Sequence, residues 1–166
     1  MDIRPYTCLS YGINIYLEYK NFDLTMFWQG VQGVDIISDL KKETDLWSGL
    51  NIGFLNKGKR VLDAWSPANP GSDIPALARN DSNNEKRVST YYVENGSFLK
   101  LRNLQVGYNV PKAWTEKIRM ERLRFYLSAQ NLLTIKSKDF TGVDPENVNY
   151  GYPIPLNITF GVNVSF

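Results

Sequence analysis

Apolar and polar residues alternate along five separate segments of the chain. The clearest segment is 157–166, in which every second residue is apolar: Ile158, Phe160, Val162, Val164 and Phe166. A period of two residues predicts a β-strand with one apolar and one polar face. The same pattern predicts strands at 11–20, 22–30, 97–110 and 122–132, with a bulge where the alternation slips near Asn103.

The connections between these predicted strands differ greatly in length. Lys20-Asn21 suits a hairpin and 111–121 a short turn, whereas 31–96 and 133–156 are long and rich in Gly, Asn, Asp, Ser and Pro. Short periplasmic turns alternating with long external loops are typical of outer-membrane barrels. We therefore expect an all-β fold of antiparallel barrel strands, with 31–96 and 133–156 as external loops.

A soluble secreted or periplasmic β-sandwich that binds glycans is the alternative, because sandwich strands also alternate. A connection as long as 31–96 is unusual inside a compact soluble domain, which favours the barrel. The sequence has no run of 18 or more apolar residues, so no transmembrane helix is expected. Residues 1–5 lack the apolar stretch of a signal peptide, and none is expected there.

Composition and charge exclude several classes of function. The 166 residues carry a formal charge of +2, which gives no electrostatic reason to bind nucleic acid. Histidine is absent and Cys8 is the one cysteine, so histidine-based catalysis, an internal disulfide and a cysteine metal cluster are excluded. No carboxylate pair stands out for glycoside cleavage. We expect neither an enzyme nor a cofactor.

Two short motifs resemble ligand-binding signatures and are interpreted otherwise. Gly53 to Lys59 matches the first seven positions of a phosphate-binding loop, but Arg60 stands where a Ser or Thr belongs. Asp139, Asp144 and Glu146 offer oxygen ligands for calcium, but their spacing fits no EF-hand. We interpret the first as coincidence and the second as a solvated loop, and expect no metal site.

Aromatic residues make up 13% of the chain and fall into two groups. Those at or near strand ends predict an interfacial girdle: Tyr11, Tyr19, Trp28, Tyr108, Trp114 and Phe166. Those in the loops that are candidate contacts for a ligand or partner are Trp65, Tyr91, Tyr92, Tyr150 and Tyr152. Local packing within a folded loop remains the other explanation for this second group.

Motifs spread over residues 11–166 together resemble the SusC/RagA family of TonB-linked outer-membrane transporters. They include Tyr19-Lys20-Asn21-Phe22-Asp23-Leu24, Trp65-Ser66-Pro67-Ala68-Asn69-Pro70, Leu99-Lys100-Leu101-Arg102-Asn103-Leu104, Leu127-Ser128-Ala129-Gln130-Asn131-Leu132 and Tyr152-Pro153-Ile154-Pro155. The final segment, Phe160 to Phe166, is similar to the last strand of such barrels. The resemblance implies that the chain corresponds to the C-terminal part of a barrel of about 22 strands.

The resemblance also implies partners and a location. The whole protein would lie in the outer membrane of a Bacteroidota cell, with a plug and a TonB-contacting region in the N-terminal part that this sequence lacks. A SusD-like lipoprotein would cap its external mouth and help to capture oligosaccharides or peptides, and lipid would surround the wall. Five strands cannot close a barrel, so the chain alone is not expected to transport. A signalling role is a third alternative that the resemblance implies, because some members of the family carry an additional N-terminal signalling domain.

Overall fold

The computed structural model describes residues 8–46, 56–78, 84–148 and 152–166. These residues divide into two compact units. The sheet unit contains the described residues of 6–34, 97–137 and 154–166, and the loop unit those of 35–96 and 138–153. The elements in chain order are β1 (Leu9–Tyr19), β2 (Phe22–Gln32), β3 (Asp35–Ile37), α1 (Asp39–Asp45), β4 (Val93–Asn95), β5 (Phe98–Asn109), α2 (Lys112–Thr115), β6 (Arg122–Lys136) and β7 (Asn157–Ser165).

The sheet unit is one five-stranded sheet in the order β1-β2-β5-β6-β7. Every neighbouring pair is antiparallel, as the alternating segments predicted. The predicted hairpin between β1 and β2 is confirmed, with Tyr19 opposite Phe22. The predicted bulge is also confirmed, because the register of β5 shifts between Leu101 and Asn103.

Strand β6 is longer than the alternation suggested. The predicted segment ends at Leu132, whereas β6 continues to Lys136. Asn131 has a positive φ of 56°, and this local irregularity breaks the period-two pattern. Beyond it, Leu133 lies opposite Leu101 and Ile135 opposite Leu99, so the apolar face resumes.

The short connections lie at one end of the sheet. Lys20 turns the β1–β2 hairpin with a φ of 55°. The β5–β6 connection holds α2 and the 3₁₀ turn Glu116–Ile118, and Arg119 ends that turn with a φ of 54°. No helix among the described residues is long and apolar enough to cross a membrane.

The loop unit has its own small core, although the sequence suggested no elements within 31–96. Strands β3 and β4 form a two-stranded antiparallel sheet. Ser38 caps α1, because its Oγ accepts a hydrogen bond from the Lys41 backbone N–H. Among the described residues of the unit, the buried apolar ones are Leu46, Val61, Tyr92 and Phe140. Elements this short are hard to recognise from periodicity alone.

Candidate functional site

One face of the five-stranded sheet is apolar across all of its strands. A representative row, read through the strand register, is Leu17, Leu24, Val106, Leu127 and Phe160. Leu127 is 50% exposed and Phe160 is 67% exposed. Soluble monomers rarely leave so continuous an apolar surface uncovered. This face is therefore suited to an apolar environment such as lipid.

Aromatic residues form a row beside the short turns. Tyr19 lies opposite Phe22, Phe22 opposite Tyr108, and Tyr108 opposite Phe125. The ring centroids of Phe22 and Tyr108 are 4.8 Å apart. Tyr19 and Tyr108 belong to the predicted girdle, whereas Phe22 and Phe125 were not included in it. Such a row is typical of the boundary between hydrocarbon and headgroups.

The opposite face of the sheet is polar and carries a buried ion pair. The Arg124 guanidinium donates two hydrogen bonds to the Asp23 carboxylate, at 3.1 Å from Nε and 2.5 Å from Nη2. Asn109 Nδ2 adds a third donor at 3.3 Å. Gly107 makes room for this cluster, because a Cβ there would overlap Asp23 and Arg124. The pair links β2 to β6 across β5.

In the loop unit, the buried carboxylate of Glu94 joins three segments. Thr141 donates to it twice, from its backbone N–H at 3.0 Å and from its hydroxyl at 2.6 Å. Lys41 Nζ lies 3.3 Å from Glu94 Oε1. Glu94 and Lys41 come from the first long loop and Thr141 from the second. The two loops are thus tied into one structure by a charged hydrogen-bonded centre.

A second buried carboxylate, Asp45, organises the surroundings of α1. It accepts hydrogen bonds from the Tyr91 hydroxyl at 2.5 Å and from Arg60 Nε at 2.7 Å. Burial and the Asp45 carboxylate raise the pKa of the Tyr91 hydroxyl, so the neutral phenol is favoured. Lys41 Nζ also lies 5.1 Å from the centre of the Tyr91 ring.

The five candidate contact aromatics have different surroundings. Tyr152 is 95% exposed and Trp65 is 45% exposed, so both are open to a ligand or partner. Tyr91 is half-buried against Asp45. Tyr92 is 1% exposed and its hydroxyl donates to the Glu85 carbonyl, which makes it a core residue in this structure rather than a contact surface. Tyr150 lies outside the described residues.

Trp65 lines a shallow cavity of about 400 Å³ in the loop unit. Its walls are mainly small or aliphatic side chains: Val61, Leu62, Ala64, Pro67, Ala76 and Leu77. A neighbouring turn is closed by the Asn69 backbone N–H, which donates to the Ser66 carbonyl at 2.9 Å. The cavity offers an aromatic and aliphatic surface, and Ser66 is a polar residue of its lining.

The two ligand-like motifs have ordinary structural surroundings where they are described. Gly53 lies outside the described residues, and the motif's described end leads into the five-residue 3₁₀ helix Lys59–Asp63. Asp144 is buried and its Oδ1 accepts from the Glu146 backbone N–H at 3.0 Å, which is a turn-forming contact. Among the described residues, no cluster of three metal-ligating side chains occurs.

Sequence inspection did not single out Glu94 or Asp45 for these contacts. Glu94 and Thr141 are 47 residues apart, and Asp45 and Tyr91 are 46 residues apart. No local spacing marks such pairs. The available signal was compositional: acidic residues next to aromatic and apolar residues in segments otherwise interpreted as solvated loop.

Curated relatives match nearly the whole chain. It is 35% identical to TonB-dependent receptor P3 of Formosa agariphila over 98% of its length, and 34% identical to TonB-dependent receptor P26 of the same organism over 98%. It is 26% identical to TonB-dependent receptor SusC of Bacteroides thetaiotaomicron over 98%. The chain spans only about 16–17% of the length of these relatives. No family model matches.

Solved structures agree with the sequence relatives. The open-open state of the RagAB peptide importer superposes with a TM-score of 0.77 at 29% identity, covering 95% of this chain and 17% of that one. The RagAB peptide transporter gives a TM-score of 0.69 with the same identity and coverage. Together with the apolar sheet face, the aromatic row and the long loops, these similarities have one explanation: the chain belongs to the SusC/RagA family of TonB-dependent receptors and corresponds to one segment of such a protein.

Proposed function

We propose that this chain forms part of the wall and external loops of an outer-membrane importer for oligosaccharides or peptides. The observation that carries the proposal is the continuous exposed apolar face of the antiparallel sheet, exemplified by Leu127 and Phe160. Only lipid or another apolar partner satisfies such a surface. The glycan-binding sandwich is disfavoured, because the core of a sandwich would bury this face, whereas Leu127 and Phe160 are exposed on it.

The two faces and the loops divide the work of the importer. The apolar face contacts lipid, and the polar face with Asp23 and Arg124 lines the lumen beside a plug supplied by the rest of the protein. The loop unit lies at the external mouth, where a SusD-like lipoprotein docks and substrate is captured. Energy comes from the TonB complex through regions outside this chain. None of the described residues is proposed to form a covalent bond with the substrate.

RagAB is a peptide importer, whereas the name of the TonB-dependent receptor SusC states no substrate class. We propose Trp65, Tyr91, Tyr150 and Tyr152 as contact aromatics; among them, Tyr91 is half-buried and its hydroxyl donates to Asp45. Exposed aromatic rings suit the faces of sugars and the apolar side chains of peptides equally. Uptake of labelled oligosaccharides and peptides therefore distinguishes the two substrate classes.

Cell fractionation followed by uptake measurements tests the proposal. An antibody against residues 31–96 should detect a band in the outer-membrane fraction, much heavier than the chain's 19.0 kDa. Deleting the gene should abolish uptake of one labelled pool, either oligosaccharides or peptides, and leave the other unchanged. A soluble band near 19.0 kDa would contradict the wall assignment. Unchanged uptake of both pools would contradict the importer.

A further inference from the structure

The long loops leave and rejoin the sheet at four points, and Ser97 ties three of them together. The Gly33 backbone N–H, just after β2, donates to Ser97 Oγ at 3.0 Å. The Ser137 backbone N–H, just after β6, donates to the Ser97 carbonyl at 3.0 Å. Ser97 itself immediately precedes β5. Ser97 therefore links three of the crossing points, because its side chain accepts one hydrogen bond and its carbonyl accepts another.

The fourth crossing point, where the second loop returns to β7, is held differently. Asn131 Nδ2 donates to the Pro155 carbonyl at 3.2 Å. Ile154 and Leu156 on either side of Pro155 are exposed, and Pro155 has no backbone N–H to contribute. An exposed hydrogen bond between neutral groups contributes little net stability. The bond from Gly33 to Ser97 is of the same exposed, neutral kind, but Ser97 takes part in two such bonds, so the described contacts at the fourth crossing point are fewer.

Asn131 is held in place by an unusual local backbone and by a neighbouring cation. It lies at the irregularity of β6, with a φ of 56° that Asn tolerates better than most residues. Its Oδ1 accepts from Arg102 Nη1 at 3.4 Å, and Arg102 Nε donates to Gln29 Oε1 at 2.7 Å. Arg102 is the extra residue of β5 in its pairing with β2, and in the pairing of β5 with β6 both Asn131 and Leu132 lie against it. Two bulged positions thus aim the Asn131 amide at Pro155.

We propose that Asn131 is a releasable clasp for the second long loop. While the Asn131 amide donates to the Pro155 carbonyl, the backbone just before β7 is held against β6. When this hydrogen bond breaks, residues 154–156 detach from the sheet without disturbing the strand pairs of β6 and β7. The clasp is a conformational device of the sheet unit, and it does not depend on which substrate the protein carries.

Two substitutions separate the clasp from the rest of the site. Asn131→Asp keeps the acceptor for Arg102 and tolerates the positive φ but loses the donor to Pro155. Asn131→Gly accepts the same φ and removes the whole side chain. Ser128→Ala is the matched control, because Ser128 lies on the same strand and its Oγ donates to Asn103 Oδ1 at 3.2 Å rather than to Pro155.

The test follows a nitroxide label at Leu156→Cys in the full-length membrane protein, with Cys8 and any other reactive cysteine replaced. Electron paramagnetic resonance gives the ratio of mobile to immobilised label. Both Asn131 variants should raise this ratio by about two- to tenfold, the effect of losing one hydrogen bond of modest net stability. A second label at Phe160→Cys should remain unchanged, and so should both labels in Ser128→Ala.

Three outcomes would overturn the clasp. The first is an unchanged ratio at position 156 in both folded Asn131 variants. The second is an equal rise in the Ser128→Ala control. The third is loss of the folded protein in both Asn131 variants, because Asn131 would then hold the sheet together rather than the loop.

Discussion

Glu94 and Thr141 are joined by two hydrogen bonds, although they come from different long loops. This contact makes the loops one folded unit with a buried charge at its centre. Loops that pack into one unit present a defined surface, which a substrate or a lipoprotein can recognise with less loss of conformational entropy.

Glu94→Gln should loosen the loop unit. The substitution removes the negative charge that Lys41 faces at 3.3 Å and leaves one oxygen for the two donors of Thr141. Losing a charged acceptor at a buried site costs about 1–3 kcal/mol. Hydrogen exchange at the Thr141 amide in the full-length protein should therefore accelerate. The control is Glu116→Gln, because Glu116 is an exposed acidic residue in the short β5–β6 connection. This substitution should leave the exchange rate of the Thr141 amide unchanged.

The ion pair of Asp23 and Arg124 should behave as a coupled unit. Asp23→Asn leaves the buried guanidinium without its carboxylate, which costs about 3–5 kcal/mol in the free energy of unfolding. Arg124→Gln should cost a similar amount. Thermal unfolding in detergent should show that the double variant loses clearly less than the sum of the two. Additive losses would mean that the two side chains do not interact.

The Tyr126 ring occupies the space that a side chain at position 161 would need. The two residues are opposite each other on β6 and β7, and a Cβ at Gly161 would overlap the ring. Gly161→Ala should lower the free energy of unfolding by about 1–3 kcal/mol through overpacking. Gly71→Ala is the control, because nothing lies within 4 Å of its added Cβ. Equal effects of the two substitutions would refute the close approach.

Alkaline pH should destabilise the loop unit through Tyr91. Its pKa is raised in the folded protein, so the stabilisation is complete below the unfolded-state pKa of about 10 and declines as pH rises above that value. Tyr91→Phe cannot ionise and lacks this decline. The thermal unfolding midpoints of the two proteins should be compared from pH 8 to 12. Above about pH 10, the midpoint of the wild type should fall relative to that of Tyr91→Phe. Parallel curves would argue against the shift.

The strands were predictable because alternation is a local property. Every second residue of 157–166 is apolar, and β7 covers Asn157–Ser165. The other predicted segments lie close to observed strands for the same reason. Asn131 limited the prediction, because its positive φ interrupts the period-two alternation. The predicted strand therefore ended before the last apolar residues of β6.

The loop unit was not predictable, because its structure depends on distant partners. The burial of Tyr92 follows from the packing of segments that are far apart in sequence, and its aromatic side chain looks the same in sequence whether it is buried or exposed. The aromatic residues of the loops were candidate contacts because of their position in loops, and local packing within a folded loop was the other explanation. The structure shows that part of this aromatic content is core.

Cysteine scanning of β7 in intact outer membranes tests the lipid-facing wall most directly. Single cysteines would replace Ile158, Thr159, Phe160, Gly161 and Val162, one in each variant. Each cysteine would be labelled with a fluorophore, and quenching by a compound dissolved in the lipid would be measured. We expect strong quenching at 158, 160 and 162 and weak quenching at 159 and 161, because the apolar face meets hydrocarbon. Uniform quenching along the strand, or the opposite phase, would contradict the account.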